Sequence, residues 1–381
     1  MSVHKEPGEK DANRPRILML SQRGISPSDI WRCPHYEFED LICQFDTVDM
    51  LAPRPKQWFR LGTKIARRVA RYYPIAWNPA TPKIEASKNY DMLFMFCASP
   101  VDLLNLNLGN HWKSRCKTSV CMIDEIWVKD IPREILYLKI LSTFDHIVLY
   151  YSQSVNAVSE VIGKRTYFVP PGIDAIKFCP YPDLPKRVID IYSLGRRSSA
   201  THQKLLELAK ARNLFYIYDS LRGTATINAK EHRELLANMA KRSRFFIVNP
   251  GVIDEPERRG NQIEVGNRYF KGAAAGCIMI GEIPRNEAYE SLFNWPDAVL
   301  RLPYGSDQIE TIIDEIDRQP EREKEIRKNN IVQSLRRHDW MYRWESILKI
   351  AGLDPTPAMR ERQRQLEKLA TLAEEQTTNS A

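Results

Sequence analysis

The chain has 381 residues and a formal net charge of +8, too long for one core and basic enough to favour a nucleotide, a nucleic acid or an anionic membrane surface as partner. Its cysteines are odd in number, form no Cys-x-x-Cys and have no histidine cluster nearby. That argues against a disulfide framework or zinc and for buried thiols in a reducing cytosol. Residues 1–14 are too charged for a signal peptide, and the longest apolar runs, such as 92–98, are strand-sized and too short to span a bilayer.

In chain order, apolar runs at 16–20, 46–51, 91–97, 118–123, 146–150 and 166–169 predict strands, with helical spacing between them, notably at 58–73, 132–143 and 153–162. Pro170-Pro171-Gly172 ends that pattern, and a proline-rich segment follows. Strands are then expected at 188–194, 215–219, 245–248, 277–280 and 299–302. Helices are expected at 199–212, 230–242, 267–275, 286–293, 307–317 and 321–353, with a charged helix at 359–375 that carries no readable motif. Strands alternating with helices imply parallel, doubly wound sheets, so the fold class is α/β with two Rossmann-like domains and a cleft between them.

The segment 54–73 carries Arg54, Lys56, Arg60, Lys64, Arg67, Arg68 and Arg71, with no acid between Met50 and Ile84. Trp58, Leu61, Ile65, Val69 and Tyr72 share one helical face. Two readings stand: the apolar stripe packs on a sheet beneath a solvated basic face, or the helix lies on an anionic membrane. Sheet packing is the first expectation, because it demands the same stripe.

Asp124-Glu125 follows a strand run, and carboxylates past the C-terminal end of a parallel strand face the ligand crevice. Trp127 beside them offers a ring on which a sugar can stack; a loop cap with a core tryptophan is the alternative. His111, His146 and His202 sit singly and read as surface or core residues.

Gly195-Arg196-Arg197 ends a strand in a turn where glycine permits close approach and guanidinium groups suit phosphate. The block 264–281 reads as a helix opening at Gly266 and Asn267, followed by small residues and a buried strand. Its free N-terminal N–H groups form an anion site, and Glu264, Arg268 and Lys271 share one face. A nucleotide ligand fits that combination.

With 168–174, 178–180 and His338-Asp339-Trp340-Met341-Tyr342-Arg343, this series resembles the retaining GT-B glycosyltransferases of the glycosyl transferases group 1 superfamily, in the subgroup that ends in a His-x-Trp-x-x-Arg helix. The resemblance covers about residues 165–350. It implies a disordered tail at 1–14, an acceptor-side Rossmann-like domain at 15–170, a linker at 171–186 and a donor-binding domain at 187–335. A helix at 336–353 would pack back toward the N-terminal domain, and a charged helical tail would fill 354–381.

The implied function is transfer of a sugar from a nucleoside-diphosphate sugar to a hydroxyl acceptor, with retention, no metal and no cofactor. The acceptor would be a saccharide, lipid or protein. Arg196, Lys271, Glu125 and Asp124 would be catalytic, and Gly195, Arg197, Glu264, Gly266, Asn267 and Arg268 would bind the donor. A cytoplasmic enzyme, peripheral on the inner face of a membrane through 54–73, fits this picture. The family's ribose-binding glutamate is replaced here by Lys271, which cannot accept a hydrogen bond when protonated. That departure supports a second reading, a non-catalytic GT-B scaffold. A third, nucleic-acid-directed transfer or nucleic-acid binding, rests on the basic balance and ranks below the first.

Overall fold

A computed structural model describes residues 15–105, 107, 112–219, 226 and 228–378. The expected tail at 1–14 lies outside the described residues. The first sheet comprises β1 (Ile17–Leu20), β2 (Val48–Leu51), β3 (Tyr90–Cys97), β4 (Cys116–Ile123), β5 (His146–Leu149) and β6 (Thr166–Phe168), in the order β2-β1-β3-β4-β5-β6. The second comprises β7 (Ile189–Ser193), β8 (Tyr216–Tyr218), β9 (Ser243–Val248), β10 (Ile278–Gly281) and β11 (Leu300–Arg301), in the order β11-β10-β9-β7-β8. Every pairing within them is parallel. Continuous apolar runs such as Met92–Cys97 in β3 are buried on both faces, as helices covering both sides of a parallel sheet require.

Strand order reverses between β1 and β3 in the first sheet and between β7 and β9 in the second. Such switch points open crevices at the C-terminal strand ends. One helix beside the first of them, Cys33–Phe45, is absent from the elements predicted by periodicity. It buries His35, Glu37 and Glu39 along with Phe38, Leu41 and Ile42, so its inward face does not read as apolar.

The two sheets are tied together by the chain's C-terminal part. The block expected at 321–353 is two helices, Pro320–Arg337 and Trp340–Ile350, broken at His338-Asp339, where the Asp339 carboxylate caps the second helix through Met341 N–H at 3.0 Å. Trp340 stacks on Phe38 at 4.6 Å between ring centroids, and Trp344 meets Phe94 of β3 edge-on at 5.1 Å. The proline-rich segment is wired to this break: Ile173 N–H donates to His338 C=O at 3.0 Å, and the Arg343 guanidinium donates to Pro171 C=O at 2.9 Å.

The last helix, Pro357–Thr378, is no loose appendage. Met359, Leu366, Ala370 and Ala373 are buried, and Arg362 lies between Asp174 and Asp339 at 2.6 and 2.7 Å. Six of the cysteine thiols are buried as expected, whereas Cys43 is exposed. Among the described residues no helix is long and apolar enough to cross a membrane.

Candidate active site between the two sheets

The two switch points face each other across a cleft of 1080 Å³. Its C-terminal wall is framed by two backbone devices. After β7 the chain turns at Gly195, where φ is +74° and a side chain would be strained. Gly195 N–H donates to Asp219 Oδ2 at 2.8 Å, which holds the turn open toward the cleft. Opposite it begins the helix Asn267–Ala274, whose N-cap is Gly266 and has no side-chain cap. The helix approaches the sheet closely because Gly272 lacks a Cβ, which would sit 2.8 Å from Met279 Sδ. Arg268 is half-buried and donates to the Leu194 and Arg196 carbonyls at 3.3 and 2.9 Å, so it braces the turn against the helix.

Lys271 faces the same cleft one turn further along. Burial, then the neighbouring Arg233 and Arg268 guanidinium groups, push its ammonium pKa down to about 7. Arg233 is itself neutralised by Glu37, at 3.1 and 2.7 Å. His232, also in the cleft wall, is shifted down by burial and by Lys271, and its buried Nδ1 has no hydrogen-bond partner. The Lys271 ammonium makes no hydrogen bond or ion pair among the described residues. A desolvated ammonium beside an uncapped helix N-terminus is a site short of an anion.

Asp124 and Glu125 extend the N-terminal wall past β4. Asp124 Oδ2 lies 2.7 Å from His35 Nε2, the only close histidine–carboxylate pair among the described residues, and its side chain remains partly open. His35 is buried against Phe96, with 4.2 Å between ring centroids. Glu125 is engaged: it accepts from Trp127 Nε1 at 2.5 Å and pairs with Arg258 across the cleft. Burial raises its pKa, partly offset by those two partners. Trp127 is almost wholly buried and meets Tyr151 edge-on at 4.9 Å, so it offers a cleft sugar little open ring face.

Nine of the ten residues expected in the site line this cleft: Asp124, Glu125, Gly195, Arg196, Arg197, Gly266, Asn267, Arg268 and Lys271. The exception is Glu264. It is buried in the seam between the sheets, where it accepts from the N–H groups of Ser152 and Gln153 at 3.1 Å each and from Gln262 at 2.8 Å. With the Ser152 hydroxyl at 3.3 Å as a fourth donor, its carboxylate clamps the two domains together and does not line the cleft. Arg196 is also committed elsewhere: its guanidinium pairs with Asp254 at 2.8 Å and with Glu255. Arg197 donates to the Asp219 carbonyl and lies over the Tyr218 ring at 5.0 Å. His35 and Arg233 are the residues that periodicity missed. Of the lone histidines, His202 lines the cleft and meets Tyr216 Oη at 2.9 Å, His146 lies tilted against Tyr167 at 6.2 Å between ring centroids, and His111 lies outside the described residues.

The sequence model of the family described as glycosyl transferase-like matches residues 199–349, which include the helix Asn267–Ala274 of the C-terminal wall but not the Gly195 turn. No curated protein matches the chain in sequence. Among solved structures, an alpha-glucosyltransferase in complex with UDP-glucose and DNA containing an abasic site is similar at 13% identity and a TM-score of 0.51, over 89% of this chain and 99% of that one. The same kind of enzyme with UDP and DNA containing an HMU base gives 12% identity and a TM-score of 0.50, over 89% and 99%. HepE of Anabaena in complex with UDP-glucose gives 11% identity and a TM-score of 0.49, over 89% and 100%. The fold is GT-B: two Rossmann-like domains facing each other across a cleft.

Proposed function

We propose that this protein is a glycosyltransferase that takes a sugar from a nucleoside-diphosphate donor and passes it to a hydroxyl acceptor. The observation that carries the reading is Lys271: a half-buried ammonium with no ion-pair partner among the described residues, one turn into an uncapped helix, in a wall that also presents the Gly195 turn, Arg196 and Arg197 to the cleft. A diphosphate supplies the charge this wall lacks, and the same groups would stabilise it as a leaving group without a bound metal. Arg196 joins that contact only on release of Asp254 and Glu255. Glu264 is taken up in the seam, so the ribose hydroxyls would be held by other groups.

On the other wall Asp124 would orient the acceptor hydroxyl, and His35 fixes its carboxylate. The likeness to group 1 enzymes supports retention, in which the departing phosphate takes the acceptor proton. The 2.7 Å His35–Asp124 pair favours a second reading, because it offers that proton a place on the protein, as direct displacement with inversion requires. The anomeric coupling constant of the first product formed, read by proton NMR, separates the two.

The test of the donor site is thermal stabilisation by UDP, other nucleoside diphosphates and their sugars, with the free nucleosides as controls. A diphosphate-bearing ligand should raise the melting temperature in a concentration-dependent way, and Lys271→Met should remove most of the rise. Equal stabilisation by nucleosides, or an unchanged response in the variant, would remove the diphosphate from this site.

A further inference from the structure

The basic segment does not pack as its periodicity leads one to expect. The helix Phe59–Ala70 turns Gly62, Ala66 and Ala70 inward. A Cβ on Gly62 would lie 2.5 Å from both Ala80 Cβ and Asn78 Oδ1, so nothing larger than glycine fits at that contact. The large apolar side chains go to the surface instead. Tyr72 is 77% exposed, Tyr73 63%, Leu61 57%, Ile75 41%, Trp58 40% and Ile65 38%. Interleaved with them are Arg54, Lys56, Arg60, Lys64, Arg67, Arg68 and Arg71, all exposed, with no acid in this stretch of sequence to neutralise them. None of these cations forms an ion pair among the described residues.

A solvated charged face needs no exposed tryptophan, leucine and isoleucine, and a core-packing face would not leave them out. Aliphatic and aromatic groups among unpaired cations match one surface chemistry: anionic headgroups above an acyl boundary. Nucleic acid satisfies the cations and stacks on Trp58 or Tyr72, but Leu61, Ile65 and Ile75 gain little against phosphodiester and sugar. We infer that this face docks the protein on an anionic lipid bilayer, with the aliphatic and aromatic side chains entering the headgroup boundary and the arginines and lysines meeting lipid phosphates.

The helix packs beside the turn Pro100–Asn105 and the helix Ile131–Leu141, which contribute Pro100 and Glu134 to the cleft. Arg67 lies close enough to Glu134 and Tyr137 to act on both electrostatically. Docking therefore brings the N-terminal wall of the cleft near the membrane, and the acceptor would be a hydroxyl carried by a lipid. This last step rests on the proposed function; the docking itself does not.

The experiment is co-sedimentation of the full chain with vesicles of phosphatidylcholine alone and of phosphatidylcholine with phosphatidylglycerol, at low and high salt, beside retention on short duplex DNA. The wild type should pellet with the anionic vesicles at low salt and stay in solution with the neutral ones. Raising salt should release it, since the Debye length falls from about 10 Å at 0.1 M to about 3 Å at 1 M. Leu61→Asp with Ile65→Asp should weaken vesicle binding by roughly tenfold or more. It should leave the melting temperature, nucleotide stabilisation and any DNA retention unchanged. The inference is overturned if the wild type ignores anionic vesicles, if the double variant binds them as well as the wild type, or if only DNA is held. Loss of nucleotide stabilisation in the wild type would count against the proposed function and leave the docking result standing.

Discussion

The two walls of the cleft are built by different means. The C-terminal wall is local: a glycine turn after β7 and a helix start after Gly266 put backbone N–H groups where an anion belongs, and each device spans a few consecutive residues. The N-terminal wall is assembled at long range. His35 and Asp124 are 89 residues apart, and Glu37 is 196 residues from Arg233. A wall made of backbone conformation shows in a short stretch of sequence, whereas one made of paired side chains appears only when the chain is folded.

Breaking the long-range wall at its most buried point should have the largest effect. Glu37 bridges Arg233, Lys177 and the Trp340 indole, which joins the first helix to both domains. Burial alone would raise its pKa, but Arg233 and Lys177 outweigh burial and hold it below the usual carboxylate range. Glu37→Ala would leave a buried, uncompensated guanidinium and should cost about 3–5 kcal/mol of stability in chemical denaturation. Adding Arg233→Met should recover a large part of that. A single variant within ~1 kcal/mol of wild type would mean that this bridge does not hold the walls together. Because the folded pKa lies below the unfolded one, the stability Glu37 supplies is present above the normal glutamate range. It should fade as pH falls through that range toward the folded value.

The comparison sharpens at Asp124. If the N-terminal wall serves the acceptor alone, Asp124→Asn should lower turnover by roughly 10²–10⁴-fold, the usual range for a lost general base or orienting carboxylate. Donor affinity, measured by calorimetry, should not move. Unchanged turnover would shift acceptor activation to another group. A matching loss of donor affinity would show that the walls do not divide the work.

Much of this was legible in sequence, and the failures have physical causes. Each strand overlaps an expected apolar run: the inner strands because burial on both faces makes them hydrophobic throughout, and the half-buried β2 and β8 because they keep enough apolar residues to show. The helix Cys33–Phe45 was missed because it buries His35, Glu37 and Glu39 on partners far away in sequence. The basic helix was placed but turned the wrong way: contact at Gly62 selects small residues, which the apolar stripe outweighs in any periodicity count. The final helix was placed, yet Met359, Leu366, Ala370 and Ala373 carry too few apolar atoms among its charges to announce a packed face. Nothing in sequence reveals that Ser152 and Gln153 point their N–H groups at Glu264, so its part in joining the domains shows only in the fold.

The local wall offers a smaller but more specific test. Lys271→Met should weaken diphosphate binding by ~1.5–3 kcal/mol, the range for a hydrogen bond to a charged group. Its pH dependence follows from the ammonium pKa of about 7 in the free protein. Above that pH the free folded protein mostly holds a neutral amine, while an unfolded lysine stays protonated to about 10.4. Between those values the unfolded state binds more protons, so the ligand-free protein should gain stability as pH rises. A bound diphosphate favours the charged form and raises the pKa. Binding above pH ~7 must then take up a proton, and affinity should fall by at most about tenfold per pH unit until the bound pKa is reached. Calorimetry at pH 8 in two buffers of different ionisation enthalpy would read that uptake directly. Lys271→Arg keeps its charge throughout and should flatten the slope while retaining most of the affinity. A pH-independent wild type, or proton uptake that persists in the arginine variant, would take Lys271 out of contact with the phosphates.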